Sequence, residues 1–261
     1  MSVFGGDYSQ YYDLFYADKS YAEEAAFVGN IIRRHSPNAS SIIEFGCGSA
    51  RHAVEFARAG FVITGLDRSA AMIERGQNRI DTLEPALRPK INLMQGDARL
   101  VKSSKLFDAV VSLFHVVSYQ TTYDALAEIF RSARMILVPD GLFVFDFWYG
   151  PAVLTERPNV RVRRIATSDV QLTRISEPKH HINRNVVDVK FTVIAIDRQT
   201  DRVEQHSEVH SMRYLFEPEI EFIAKQNGFE VIEAGEWLTG MPLHEHSWSG
   251  YAVARATTVR A

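Results

Sequence analysis

The sequence predicts an α/β fold: a Rossmann-like, doubly wound and mostly parallel seven-stranded sheet with an antiparallel β insertion after the fifth strand. Between positions 41 and 147, short apolar runs alternate with segments whose apolar residues recur at helical spacing, which is the pattern of parallel βαβ units. A glycine turn, Gly46 and Gly48, separates the first apolar run from a helix. After Trp148 the pattern changes to alternating apolar and polar residues, which is typical of antiparallel strands with one solvated face.

The composition is that of an ordinary soluble globular protein. The chain has 261 residues, enough for one large domain with an insertion, and is 46% hydrophobic and 23% charged. Its net charge of −3 disfavours a sequence-independent nucleic-acid binder. We find no secretory signal pattern and no apolar run near ~20 residues, so we expect no membrane segment. The single cysteine, Cys47, excludes an internal disulfide and fits a reducing compartment, so we expect a cytoplasmic protein.

The first half of the chain supplies five predicted strands. Residues 4–19 are rich in tyrosine and should cap the fold as a loop or a short helix. Gly60 is a predicted helix C-cap and Ser69 a predicted helix N-cap. The expected strands lie at 42–45, 61–66, 91–95, 107–114 and 142–147, and the expected helices at 20–35, 51–59, 123–137 and from 69 onwards.

The second half contains the predicted insertion and then returns to the main sheet. Three alternating runs between positions 160 and 216 predict antiparallel strands, and 197–201 is the expected tip of a hairpin. A helix at 217–227, capped by Gly228, precedes strands at 229–236 and 250–255. We therefore expect residues 1–150 and 217–261 to form the ligand-binding domain, with 151–216 as a layer for substrate or for an oligomer.

The glycine turn identifies the class of ligand. A strand, a glycine turn and a helix N-terminus form a site for an anionic or carboxylate-bearing ligand, because free backbone N–H groups point outward there. The turn is one residue too short for the dinucleotide fingerprint G-x-G-x-x-G, which disfavours an NAD-dependent oxidoreductase. With Glu44 two residues before Gly46, it resembles instead the E/D-x-G-x-G-x-G motif of class I S-adenosylmethionine (SAM) dependent methyltransferases. Ala50 replaces the last glycine of that motif.

This resemblance implies roles for residues at the carboxyl ends of the strands, where open α/β sheets bind ligands. It places Asp67 on the ribose hydroxyls, Asp97 on the adenine amine and the backbone N–H of Ala98 at the adenine ring. Phe114 and His115 follow the fourth strand, where the methionine moiety and the substrate meet in that family. The cofactor-binding residues implied in this way are Tyr12, Tyr21, Glu44, Gly46, Cys47, Gly48, Asp67, Arg68, Met72, Asp97, Ala98 and Phe114.

A finer resemblance is to sugar N-methyltransferases, including N,N-dimethyltransferases of nucleotide-linked amino sugars. In that branch too a Tyr-Asp-Leu segment, here Tyr12-Asp13-Leu14, leads the first helix, and an antiparallel layer follows the fifth strand. Where some members carry a histidine as the candidate base, this chain carries Tyr119. The resemblance implies SAM-dependent methyl transfer, by in-line displacement, to an amino or hydroxyl group of a sugar or a similar metabolite.

The chemistry of methyl transfer selects the other candidates. A neutral amine attacks the methyl group unaided once its ammonium has lost a proton, whereas a hydroxyl needs a base or a metal. The catalytic candidates are His115, Tyr119 and Tyr12, although His115 could equally be satisfied by backbone groups. The substrate-binding candidates are Trp148, Tyr149, Arg213 and Trp237. Arginines make the insertion basic and suit phosphates, but a solvated strand face is the commoner reason for them.

Alternatives to a small-molecule methyltransferase are weaker. The pairs His206/His210 and His244/His246 lack a carboxylate at metal-ligand spacing, so we expect no metal. Leu113-Phe114-His115-Val116 does not match the Asn/Asp-Pro-Pro-Tyr/Phe motif of nucleic-acid methyltransferases. A SAM-binding non-catalytic or regulatory subunit is a second hypothesis. We expect a small-molecule substrate, no nucleic-acid or membrane partner, and the β insertion as a candidate homodimer interface.

Overall fold

A computed structural model of the chain describes residue 11 and residues 13–257. The helices are α1 (Tyr21–His35), α2 (Arg51–Arg58), α3 (Ala70–Asp81), α4 (Tyr123–Ile136), α5 (Gly150–Thr155) and α6 (Glu217–Gln226). The strands are β1 (Ser41–Phe45), β2 (Val62–Asp67), β3 (Ile91–Gln95), β4 (Phe107–Ser112), β5 (Leu137–Tyr149), β6 (Arg161–Ala166), β7 (Val170–His181), β8 (Val186–Asp197), β9 (Val203–Leu215), β10 (Phe229–Glu236) and β11 (Ser249–Ala256). Among the described residues, no helix is both long and apolar enough to cross a membrane.

The predicted doubly wound sheet is confirmed. Five parallel strands lie in the order β3-β2-β1-β4-β5. Next to β5 lies β11, which is antiparallel to it, and β10 is antiparallel to β11 in turn. Strand β10 therefore runs in the same direction as the first five, and β11 is the one reversed strand of this seven-stranded set. The carboxyl ends of β1 to β5 consequently meet at one edge of the sheet, where ligands bind in open α/β folds.

Helices cover both faces of this sheet, as the continuous apolar strands predict. Because successive side chains of a strand point to opposite faces, β5 serves both cores. Phe143 and Phe145 pack with α4 and α6 on one face, while Leu142 and Val144 pack with α1 and α2 on the other. All four side chains are buried. Strand β5, whose carboxyl end lies at the ligand-binding edge of the sheet, is therefore packed against helices on both of its faces.

The insertion has four antiparallel strands, not the three that the alternating runs predicted. The missed strand is β7, which lies between β6 and β8. It contains Pro178 and many polar residues, features that weaken a strand pattern. Proline is tolerated there because the pairing with β6 ends at Ser176, so β7 has one neighbour beyond that point. The predicted hairpin tip at 197–201 does join β8 to β9.

Two smaller differences concern β5. The strand begins at Leu137, five residues before the expected start at 142. Asp140 adopts φ = 60° and the β4–β5 register shifts near it, but the strand continues through this irregularity. The short helix α5, which has a proline in its first turn, was not predicted.

At the carboxyl end of β5, Trp148 and Tyr149 pair with Tyr214 and Leu215 of β9. This pairing sets the insertion against the ligand-binding edge of the main sheet.

Candidate functional site

A cavity of about 660 Å³ lies at the carboxyl ends of β1 to β5. Its lining on the sheet side includes most of the residues predicted to bind a cofactor, namely Gly46, Gly48, Asp67, Arg68, Met72, Asp97, Ala98 and Phe114. Its other wall is formed by β8 and β9 of the insertion, with Val189, Phe191 and His210 among the lining residues. The cavity therefore has one side built from the parallel sheet and one built from the insertion.

The first glycine of the turn is required for a steric reason, whereas the second is favoured by its backbone conformation. Gly46 has φ = +74°, and a Cβ built on it would lie 2.5 Å from the side chain of Val116. Gly48 has φ = +52°, and a Cβ there would meet nothing within 4 Å. Ala50 also has a left-handed conformation, with φ = +62°. Its methyl group is accommodated because the facing residue on α3 is Gly76, where an added Cβ would lie 3.2 Å from that methyl.

Two carboxylates follow the turn along the cavity. The Oδ2 atom of Asp67 accepts the N–H of Gly48 at 2.9 Å and its Oδ1 accepts the N–H of Ser69 at 2.8 Å. Burial raises the pKa of Asp67. The Asp97 carboxylate accepts hydrogen bonds from Nε of Arg99 at 3.0 Å and from its Nη2 at 2.6 Å. These bonds lower the pKa of Asp97. Asp67 thus keeps one further lone pair on each oxygen for a ligand, whereas Asp97 shares its oxygens with Arg99.

His115 is held in place by an acid that sequence reasoning missed. Phe114 and His115 have φ values of +64° and +62°, an uncommon backbone conformation for residues other than glycine. Asp146 of β5 fixes this conformation: its Oδ1 accepts the His115 N–H at 2.8 Å, and its Oδ2 lies 2.9 Å from the ring Nδ1. The Asp146 carboxylate is 2% exposed. The available sequence signal was an aspartate within the apolar fifth strand.

Tyr119 is linked to the insertion. Its hydroxyl lies 2.8 Å from Nδ1 of His210 on β9, and Nε2 of that ring lies 3.3 Å from a carboxylate oxygen of Glu208. The imidazole packs edge-on against Phe191, with 4.7 Å between the ring centroids. Tyr119 and His210 both line the cavity. In the sequence, His210 had stood out only as half of a histidine pair with His206.

Comparison with known proteins identifies the reaction. Residues 42–141 match the family described as a methyltransferase domain. These residues form a methyltransferase domain. The SAM-dependent methyltransferase fold and activity predicted from the glycine turn are thereby confirmed, and the comparisons do not support a non-catalytic subunit. One solved structure that resembles the chain, that of the amino pentose methyltransferase CalS10, is SAM-bound.

Relatives of this methyltransferase share nearly its whole length. It is 29% identical over 238 residues to dTDP-3-amino-3,4,6-trideoxy-alpha-D-glucopyranose N,N-dimethyltransferase of Streptomyces venezuelae, covering 90% of this chain and 94% of the relative. It is 26% identical over 260 residues to dTDP-3-amino-3,6-dideoxy-alpha-D-glucopyranose N,N-dimethyltransferase of Streptomyces fradiae, covering 98% and 94%.

Solved structures agree with the fold. The sugar N-methyltransferase KedS8 from a Streptoalloteichus species has a TM-score of 0.79 at 21% identity, covering 99% of this chain and 97% of that one. DesVI of Streptomyces venezuelae has a TM-score of 0.78 at 24% identity, covering 98% of this chain and 100% of that one. Both likenesses extend across the insertion as well as the parallel sheet.

The sheet side of the cavity fits SAM. Both oxygens of Asp67 retain a lone pair for a hydroxyl, and Gly48 leaves open space where a side chain would project. Met72, Ala98 and Phe114 supply apolar surface beside these polar groups. The segment before α1 reaches this cavity through Tyr16, whose ring packs edge-on against Phe114 with 4.9 Å between the centroids. The arrangement matches a ligand with a ribose and an aromatic ring.

Three residues predicted to touch the cofactor lie outside the cavity lining. Glu44 is buried, with one carboxylate oxygen 3.4 Å from Nδ1 of His52. The ring of Tyr21 packs edge-on against the same imidazole, with 4.8 Å between the centroids. Cys47 is buried against Gly65, where an added Cβ would lie 2.8 Å from its Sγ, and burial raises the pKa of the thiol. Tyr12 lies outside the residues that the structure describes.

Of the predicted substrate-binding residues, Trp148 alone lines the cavity in the described structure. Arg213 is buried and donates to Glu219 at 2.6 Å, so its charge is already paired. The indole N–H of Trp237 points to Glu24, at 3.4 Å, and its ring packs on Phe27 and Tyr251. Tyr149 is buried next to Phe147. None of these three side chains lines the cavity, so their contact with substrate stays a prediction.

The histidine pairs have carboxylate neighbours within the fold. His206 lies 3.7 Å from Glu204. His244 lies 3.7 Å from Glu236, and His246 lies 2.6 Å from Glu156. Within residues 13–257, no three His, Cys, Asp or Glu side chains converge as they would around a metal ion.

Proposed function

We propose that this methyltransferase moves a methyl group from SAM to the amino group of a nucleotide-linked sugar. The observation that carries the proposal is the match, over 90% and 98% of this chain, to two relatives named as N,N-dimethyltransferases of dTDP-linked amino sugars. These matches include the insertion, which supplies the second wall of the cavity. The cavity thus has a separate lining for each of two ligands, one from the parallel sheet and one from the insertion.

In this proposal the sheet side of the cavity binds the cofactor. Asp67 accepts the ribose hydroxyls, with Gly46 and Gly48 letting the backbone approach the ligand closely. Arg68, Met72, Asp97, Ala98 and Phe114 form the rest of the cofactor half. When bound, SAM supplies a methyl group already activated on a sulfonium, so the protein acts mainly by alignment.

The acceptor half aligns the attacking nitrogen with that methyl group. His115, fixed by its two contacts with Asp146, stands between the cofactor half and the insertion. Trp148 packs edge-on to His115 at 6.4 Å and offers an aromatic wall for a sugar ring. Tyr119 lies on the insertion side of the same cavity. We assign His115 to orienting the acceptor and Trp148 to binding it.

The test is methyl transfer to defined acceptors, followed by mass spectrometry. The panel contains the two dTDP-3-amino sugars named for the relatives and matched sugars that carry a hydroxyl in place of the amine. The proposal expects the amino sugars to gain one and then two methyl groups and the hydroxyl sugars to gain none. Transfer to the hydroxyl sugars alone would overturn the choice of acceptor. SAM binding with transfer to neither class would favour a non-catalytic subunit.

We also infer that the insertion, residues 151–216, forms the substrate layer and joins two copies of the chain. The support is that β6, at the end of the sheet order, pairs only with β7 among the described strands and exposes Val160 and Val162 beside it. Light scattering after gel filtration should give twice the monomer mass, and Val162→Lys should shift it towards the monomer. A monomeric wild type would contradict the dimer. A small-molecule acceptor, with no nucleic-acid partner, and a cytoplasmic location complete the proposal.

A further inference from the structure

We propose that Tyr119, His210 and Glu208 form a proton relay that converts the acceptor's ammonium into the attacking amine. The inference rests on the proposed amino acceptor. It assigns to β9 of the insertion a part in the reaction that the parallel sheet does not supply. Tyr119 is the residue that contacts the acceptor, and His210 and Glu208 act through it.

The three side chains lie in a line, with a hydrogen bond between Tyr119 and His210 and an ion-pair contact between His210 and Glu208. The Tyr119 hydroxyl is 2.8 Å from Nδ1 of His210, and Nε2 on the other side of the ring is 3.3 Å from Glu208. The His210 side chain is 3% exposed and that of Glu208 is 15% exposed. Alternation along β9 places Glu208 and His210 on the same face of the strand. The buried imidazole thus has the Tyr119 oxygen at one ring nitrogen and the Glu208 carboxylate near the other.

A phenol becomes an effective base only if it can pass on its own proton. In the proposed step, the N–H bond of the acceptor's ammonium breaks and that proton moves to the Tyr119 oxygen. The Tyr119 O–H proton moves at the same time to Nδ1 of His210. The imidazolium that results carries its Nε2–H towards the Glu208 carboxylate, which compensates the new positive charge. The nitrogen lone pair is then free to attack the methyl group, and the electron pair of the broken C–S bond stays on sulfur.

The surroundings of His210 limit the other groups that could titrate with it. Val189 of β8 is its register partner, and Phe191 of β8 packs on its ring. Beyond that ring, the Arg174 guanidinium of β7 lies 4.9 Å from the Phe191 centroid. Further along the same face of β9 lies His206, which is 3.7 Å from Glu204. His115 lines the same cavity but has Asp146 as its own carboxylate.

The pH profile distinguishes a relay from a packing role. We would measure kcat/KM for dTDP-3-amino-3,6-dideoxy-alpha-D-glucopyranose at saturating SAM, in wild type, Tyr119→Phe, His210→Phe and Glu208→Gln. Below the pKa of the sugar's own ammonium, Tyr119→Phe and His210→Phe should each lose ~10²–10⁴-fold. The loss should shrink towards zero above that pKa, where the free amine is abundant. The double variant should be no worse than either single variant, because both belong to one chain of transfers.

A matched control shows whether any histidine–glutamate pair would behave in this way. His246 lies 2.6 Å from Glu156 and is exposed outside the cavity, so His246→Phe should keep the wild-type profile. SAM affinity, measured by calorimetry, should be unchanged in all variants. An equal loss at every pH in His210→Phe, or no loss at any pH, would overturn the relay while leaving the amino acceptor in place.

A second measurement does not depend on the acceptor. The relay requires neutral His210 to carry its proton on Nε2 and to accept from Tyr119 at Nδ1. Nitrogen-15 NMR of histidine-labelled wild type, with His210→Phe to assign the signal, reads the tautomer directly. Tyr119→Phe should then shift the Nδ1 signal. A proton on Nδ1 at neutral pH would overturn the relay for any acceptor, whereas an inactive wild type with the expected tautomer would refute the amino sugar alone.

Discussion

Replacing Asp67 by alanine removes the carboxylate that joins the glycine turn to the cofactor half of the cavity. Each oxygen accepts one backbone N–H, from Gly48 at 2.9 Å and from Ser69 at 2.8 Å, and has one lone pair left for a ribose hydroxyl. A hydrogen bond to a charged group contributes ~1.5–3 kcal/mol, and water in the enlarged site offsets part of the loss. We therefore expect Asp67→Ala to weaken SAM binding by about 1–3 kcal/mol, or ~5–150-fold in Kd.

Calorimetric titration with SAM measures this loss, and circular dichroism shows whether the variant stays folded. Asp81→Ala is the matched control, because Asp81 is an exposed acid at the end of α3 that accepts from Gln77. Burial raises the pKa of Asp67, so wild-type affinity should fall on acidification before an ordinary aspartate would protonate. Asp67→Ala should lack that dependence. A folded Asp67→Ala variant with wild-type affinity would refute the ribose role.

Three further predictions concern the turn, the acceptor side and the packing beneath the cavity. Gly46→Val should abolish SAM binding because of the clash and the positive φ, and normal affinity would show that the turn lies elsewhere. His115→Ala and Asp146→Asn should each slow turnover by about tenfold or more, which corresponds to ~1.4 kcal/mol, while SAM affinity stays nearly unchanged. Turnover equal to that of the wild type would show that neither residue belongs to the site. His52→Gln should lower the melting temperature most at mildly acidic pH, and a pH-independent difference would contradict this.

The pH window of the last prediction follows from the pKa shifts of the buried pair. Burial lowers the pKa of His52, but its bonds to Glu24 and Glu44 raise it more, so the net shift from 6.5 is upward. Its stabilisation is therefore fully present below pH 6.5 and is lost as the pH rises through the raised value. Burial raises the pKa of Glu24, but His52 and Lys19 together lower it from 4.5 to about 2. Its contribution is present above pH 4.5 and is lost on further acidification.

Much of the fold and of the cofactor half could be predicted because both depend on local patterns. Strand and helix periods gave the seven strands, and parallel strands necessarily bring their carboxyl ends to one edge. That rule, together with the resemblance to the SAM motif, placed Gly46, Asp67, Asp97 and Phe114 around one cavity. The strand β7 was not predicted because Pro178 and its polar neighbours interrupt the alternation of apolar and polar residues. Its pairing with β8 stabilises the strand although the local sequence does not favour one.

The acceptor half was harder to predict because it depends on contacts between distant residues. Tyr119 and His210 are 91 positions apart, and their contact depends on the register between β9 and its neighbours. Asp146 was not singled out in the sequence, and its role depends on the backbone at His115, whose N–H it accepts at 2.8 Å. Arg213 looked available for phosphate in the sequence, but Glu219, six residues on, pairs with it.

Transfer of a carbon-13 methyl group tests the central claim most directly. Wild-type protein would be mixed with methyl-labelled SAM and dTDP-3-amino-3,4,6-trideoxy-alpha-D-glucopyranose, and the product would be examined by carbon-13 NMR. We predict that the label appears as a methyl on the amino nitrogen and, at longer times, as two methyl groups on that nitrogen. Label that remains on SAM throughout, in a protein shown to bind both ligands, would contradict the claim.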